Sequence, residues 1–100
     1  MDALLVINPI VPLGQVVATR GVHALAGEKP EFAEFMRRSL NRHAQGDWGN
    51  LDDADKQENE LSLKQGFRTL SAYEAEGMPK IWIITEADRL STTILFPEEY

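Results

Sequence analysis

Residues 67–96 read FRTLSAYEAEGMPKIWIITEADRLSTTILF, and the fold turns on this stretch. Its apolar and β-branched residues fall into three short runs separated by turn formers. Phe67 to Ala75 alternates with a period of two. Phe67, Thr69, Ser71 and Tyr73 share one face, and Arg68, Leu70, Ala72 and Glu74 the other. Glu76-Gly77-Met78-Pro79 is a turn. Lys80 to Thr85 is apolar on both faces, which predicts a central strand. Asp88-Arg89-Leu90-Ser91 turns the chain again, and Thr92 to Phe96 makes a last strand ended by Pro97. Three strands joined this closely predict an antiparallel meander.

Upstream the period changes to that of helices. Pro30 to Ala44 has proline at its first position, Glu31 and Glu34 in its opening turn, and Phe32, Phe35, Met36 and Leu40 in one stripe. Gly46-Asp47-Trp48-Gly49-Asn50 then reads as a tight turn that tucks an indole against the body. A further helix starts at an Asp52 or Asp53 cap and stops at Gly66. Its apolar face is thin, carried by Leu51, Ala54, Leu61 and Leu63. Gly14 to Thr19 reads as a short strand, and Thr19 as the cap of a short helix over Gly21 to Ala26 that Gly27 ends. Leu4, Val6 and Ile10 are expected along the core edge, with residues 1–13 as an extended arm. The expected architecture is α+β in one domain spanning 1–100: two or three N-terminal helices on one face of a three- to four-stranded antiparallel meander.

Composition excludes more than it selects. The chain has 100 residues and no cysteine, so disulfides, thiolate nucleophiles and cysteine metal sites are ruled out. Its formal charge is -6, which disfavours nucleic acid and anionic membranes as partners of the whole surface. The excess is not uniform. Residues 1–50 hold five bases and five acids, whereas residues 51–100 hold five bases and eleven acids. No basic n-region precedes the apolar run Ala3 to Ile7, which is too short to span a bilayer, so a cytoplasmic protein is expected.

Chemistry-bearing residues are few. His43 continues the inner stripe of the main helix, beside Arg42 and just before Asp47 and Trp48; it is either a packed boundary histidine or an acid–base group. His23 reads as plain surface. Arg37, Arg38 and Arg42 form a small basic patch. Glu86 and Arg89 flank the tip of the second hairpin. Asp52, Asp53, Asp55, Glu58 and Glu60 read as a solvated helix start, since their spacing does not fit a calcium loop. No phosphate-binding, dinucleotide, zinc-protease or serine-hydrolase motif occurs. No cofactor and no metal is expected. The candidate binding residues are Arg38, Arg42, His43, Asp47, Trp48 and Arg89.

Three strings, Arg42-His43-Ala44-Gln45-Gly46-Asp47-Trp48-Gly49-Asn50-Leu51, Trp82-Ile83-Ile84-Thr85-Glu86-Ala87-Asp88-Arg89 and Thr92-Thr93-Ile94-Leu95-Phe96-Pro97-Glu98-Glu99-Tyr100, together resemble a family of small bacterial proteins. These "plasmid-related" proteins are carried on plasmids, prophages and integrative elements. The resemblance covers residues 14–100; it implies a mobile-element setting and assigns no catalytic residue. At fold level the chain is also similar to the ribonucleases grouped as barnase-like, EndoU-like, colicin-like and RelE-like. That similarity implies His43 and Glu86 as the acid–base pair, with Arg42 and Arg89 stabilising the phosphorane. The leading expectation is a non-catalytic accessory protein that binds a host or element-encoded protein. Homo-oligomerisation through an exposed sheet edge, with Thr92 to Phe96 as that edge, is a further one.

Overall fold

The computed structural model describes residues 9–100. In chain order they form β1 (Gln15–Ala18), α1 (Arg20–Glu28), α2 (Pro30–Ala44), α3 (Asp53–Gln65), β2 (Thr69–Tyr73), β3 (Ile81–Thr85), β4 (Ser91–Leu95) and a single 3₁₀ turn, Pro97–Glu99. The class is α+β, with all three helices ahead of the meander. Strand order in the sheet is β1-β4-β3-β2. β2, β3 and β4 pair antiparallel, Tyr73 opposite Ile81 and Trp82 opposite Leu95. β1 runs parallel to β4, Gln15 opposite Ser91 and Ala18 opposite Ile94, so the sheet is mixed rather than purely antiparallel. β4 is consequently an interior strand, and Thr92 to Phe96 is not the edge the sequence reading took it for.

One face of the sheet carries the core. Tyr73, Ile81, Ile83 and Ile94 meet Val22 of α1 and Phe32, Phe35 and Leu40 of α2, all buried. The stripe read along Pro30–Ala44 is therefore the buried stripe of α2. α1 runs further than expected, to Glu28, because Pro30 rather than Gly27 sets the break: Lys29, just before the proline, is extended at φ -125° and ψ 106°. Thr19 sits at the N-cap of α1 but its side chain does not cap it. The cap comes from the far end of the chain. Glu99 accepts from Gly21 N at 3.1 Å, from Thr19 Oγ1 at 2.6 Å and from Phe96 N at 2.9 Å, tying the last turn to the start of α1. These hydrogen bonds, the Thr19 hydroxyl first, hold the Glu99 carboxyl below the usual carboxylate range.

The expectation for the first residues is corrected in part. Ile10 is exposed, and Val11 takes the core position instead, both their N–H groups donating to Ala44 O at the end of α2. Leu4 and Val6 lie outside the described residues. Phe67 is exposed and precedes β2, because Gly66 and Phe67 both donate to Ser62 O and close the end of α3.

α3 is placed unlike α1 and α2. It lies against β2, and its buried residues are Asn59 and Ser62 rather than leucines. The cause is what it packs on. Asn59 Nδ2 donates to Leu70 O at 2.7 Å and Leu70 N donates to Asn59 Oδ1 at 3.1 Å, so the amide stands in for a neighbouring strand. A strand edge presents peptide groups, and a polar side chain satisfies them where a leucine cannot.

Candidate functional site

The segment that links α2 to α3 runs along the same β2 edge. Ala72 N donates to Trp48 O at 3.3 Å, Asn50 N to Ala72 O at 2.7 Å and Glu74 N to Asn50 Oδ1 at 3.0 Å. Gly49 permits this approach. Its φ is +75°, and a Cβ there would lie 2.0 Å from Ala72 O. Around it, Asp47 takes two hydrogen bonds from Arg42, at 2.7 and 3.1 Å, and Tyr73 Oη donates to Asp47 O at 2.7 Å. The Arg42 guanidinium also covers the Tyr73 ring at 5.0 Å. Its hydrogen bonds hold the Asp47 carboxyl below its ordinary range, and Asp47 in turn raises Arg42. Trp48 is buried and donates through Nε1 to Glu60 at 2.8 Å, pinning the linker to α3.

His43 is fully buried, between α2 and the sheet. Its Nδ1 lies 2.6 Å from Ser71 Oγ and its Nε2 2.8 Å from Thr85 Oγ1. The proton positions follow from the far end of the chain of contacts. Thr92 Oγ1 donates to Leu13 O at 2.7 Å, which uses its only proton. The 2.8 Å contact between Thr85 and Thr92 then has Thr85 as donor. Thr85 is therefore the acceptor from His43 Nε2–H, and Nδ1 accepts from Ser71. His43 is neutral and satisfied at both nitrogens. Burial, reinforced by the Arg89 charge, pushes its pKa down to about 4.

The residues singled out in the sequence divide accordingly. Arg42, His43, Asp47 and Trp48 come together, and each is engaged in holding the linker and α2 to the sheet. Arg38 is exposed on α2, one turn before Arg42 on the same face, and makes none of these contacts. Arg89 adopts a left-handed backbone, φ 62°, in the β3–β4 turn and donates to Glu86 O at 2.9 Å and Ser62 O at 3.4 Å, tying the hairpin to the end of α3. Glu86 follows Thr85 and lies on the opposite face of the sheet, where its charge acts on Arg68 beside Tyr100. His43 and Glu86 do not converge, so the acid–base pairing taken from the ribonuclease similarity has no geometry to run on.

A different surface is open. Between α3 and the second face of the sheet lies a hollow of about 490 Å³, floored by Leu51, Leu70, Ala72 and Trp82 and walled by Asp52, Asp55 and Glu58, with Lys80, paired to Glu74 at 3.6 Å, also lining it. A second hollow of about 420 Å³ shares Glu58, Asn59 and Leu70 with it and reaches Leu61, Phe67 and Arg68. The two make one groove along α3. Leu61 is 51% and Phe67 57% exposed at its rim. Asp52 caps α3 through Asp55 N at 2.8 Å; no cation pairs with Asp55 or Glu58 among the described residues. Tyr100 closes the C-terminal side, edge-on to Trp82 at 5.7 Å and hydrogen-bonded by Arg68. The sequence reading took these acids for a solvated helix start. The clue to the groove was Leu61 and Phe67 beside them in a half with eleven acids, though their exposure is visible only in the fold.

Among the described residues, no three His, Asp or Glu side chains gather to hold a metal ion, and no helix is long and apolar enough to cross a membrane. Comparison with family models, with curated proteins and with solved structures gave no match.

Proposed function

We propose that this chain is a non-catalytic accessory protein of a mobile genetic element, and that it acts by binding a host or element-encoded protein in the groove along α3. The resemblance of residues 14–100 supplies the setting. One observation carries the binding mode: an apolar floor and rim, Leu70, Trp82, Leu61 and Phe67, lies beside the carboxylates of Asp52, Asp55 and Glu58. Such a groove suits a basic segment with an apolar anchor, the anchor contributing burial and the charges orientation and encounter rate. A groove of this kind recognises an element laid along it, as helix-in-groove partners do.

The test is affinity capture from the native host with the wild-type chain and with Leu61→Asp/Phe67→Asp side by side. Both substitutions lie on the exposed rim and leave the core intact. The wild-type chain is expected to retain one stoichiometric protein with a basic segment, and the double variant to bind it about five- to thirtyfold more weakly, the effect of removing about 1 to 2 kcal/mol of anchor burial. Absence of a stoichiometric partner overturns the proposal, and equal capture by both chains overturns the groove as the binding surface.

A further inference from the structure

We propose that two copies of this chain pair through the free edge of β1, joining their sheets into one of eight strands. The inference is independent of the groove. It begins with the asymmetry of the sheet's two edges. At β2 the outward peptide groups of Leu70, Ala72 and Glu74 are taken by Asn59, by the Trp48–Asn50 backbone and by the Asn50 side chain. At β1 nothing among the described residues pairs outward. Gln15 N and Thr19 N donate to Leu90 O and Ile94 O, both at 3.0 Å, so alternation sends the N–H and C=O groups of Val16 and Ala18 away from β4. All four residues of β1 are exposed, Val16 and Val17 at 36% and 39%. Its shortness, four residues, is the one device that blunts this edge; a lysine, a proline and a bulge are all missing from Gln15–Ala18.

The edge's own two-fold register fits a second copy as the occupant, and the charge pattern permits it. Each molecule carries -6, so two approach best where neither bears acid. Pro9 to Thr19 contains no charged residue, and acidic α3 lies beyond β2, at the opposite edge of the sheet. An antiparallel pair centred on Val17 uses every free group: Val16 of each copy exchanges hydrogen bonds with Ala18 of the other, and the two Val17 side chains meet on the axis. Just past the paired strands, Arg20, the first residue of α1 in each copy, comes to the end where Gly14 of the other enters β1. There Gly14 abuts the Leu90 carbonyl of the hairpin tip that bears Asp88. Arg20 has no ion-pair partner among the described residues, and Asp88 supplies one across the interface.

Sedimentation equilibrium up to about 1 mM, where even a millimolar Kd is visible, is expected to give a weight-average mass that rises with concentration from the 11.2 kDa chain mass towards twice that value. Amide exchange at Val16 and Ala18 should slow as concentration rises. Val17→Lys and Val17→Asp place like charges on the axis; each alone should be monomeric, and a 1:1 mixture should restore the dimer. A monomer throughout overturns the proposal. So does a dimer unaffected by either variant, or protection at Val16 and Ala18 that is independent of concentration, which means the edge is covered within one chain. Should a variant misfold, the wild-type exchange data decide alone.

Discussion

At the scale of single residues, His43 and Thr69 make opposite predictions about buried polarity. His43 is neutral in the fold with a pKa near 4, against an ordinary value of 6.5. Its folded pKa is depressed, so the unfolded chain binds a proton the native protein does not. Stability is then full above about pH 6.5 and falls as pH drops towards 4. Across pH 6.5 to 5 the loss is between about 1 and 2 kcal/mol, less than the full 1.36 kcal/mol per pH unit because the unfolded imidazole is only half protonated at pH 6.5. Urea titrations at those two pH values measure it, and His43→Gln should remove most of this slope whatever its effect at pH 7. Thr69 is the converse case. It is fully buried in the same polar row, and its Oγ1 has no partner among the described residues. Thr69→Val keeps the shape and removes the orphan hydroxyl, so it should stabilise the protein by about 1 kcal/mol in the same titration.

At the scale of elements, α3 is held by polar contacts to a strand edge. Asn59→Ala leaves Leu70 N–H and C=O unpaired in a partly buried position. The expected cost is about 2 kcal/mol, with faster amide exchange confined to β2 and α3. Asn59→Asp keeps the acceptor for Leu70 N and loses the donor to Leu70 O, so it should fall between the two. This element also marks where sequence reading stops. α2 was legible because it packs on a sheet face, which demands an apolar stripe every three to four residues. β3 was legible because both its faces are covered. α3 was legible in its extent, from the Asp52 cap to the Gly66 stop, but not in its packing face, because an edge asks for hydrogen bonds, and Asn59 and Ser62 in a polar helix look like solvent. The parallel pairing of β1 with β4 was equally hidden, since it joins residues more than seventy apart by backbone groups that carry no sequence signature. At the candidate site, His43 was legible as an inner residue. Its neutrality was not, because that depends on Thr85, Thr92 and Leu13 from three separate segments.

At the scale of the whole molecule, the two proposed surfaces lie at opposite ends of the sheet and differ in charge, so salt should act on them in opposite directions. The groove joins carboxylates of α3 to a basic partner. That attraction is screened as the Debye length falls from about 10 Å at 0.1 M to about 3 Å at 1 M ionic strength. The β1 edge joins two chains of charge -6 through a neutral strand. Its main attractions are backbone hydrogen bonds and valine burial, which salt does not screen, and the long-range term opposing it is repulsion, which salt does. The paired Arg20 and Asp88 at its rim are exposed and contribute little in either condition. Raising sodium chloride from 0.1 to 1 M should therefore release the captured partner from the groove and tighten the dimer. Sedimentation of the isolated chain and of its complex across that range reads both. A dimer that weakens with salt would mean its contacts are mainly ionic and lie elsewhere than β1. A partner that stays bound at 1 M would mean the apolar rim of Leu61 and Phe67, rather than Asp55 and Glu58, supplies the affinity.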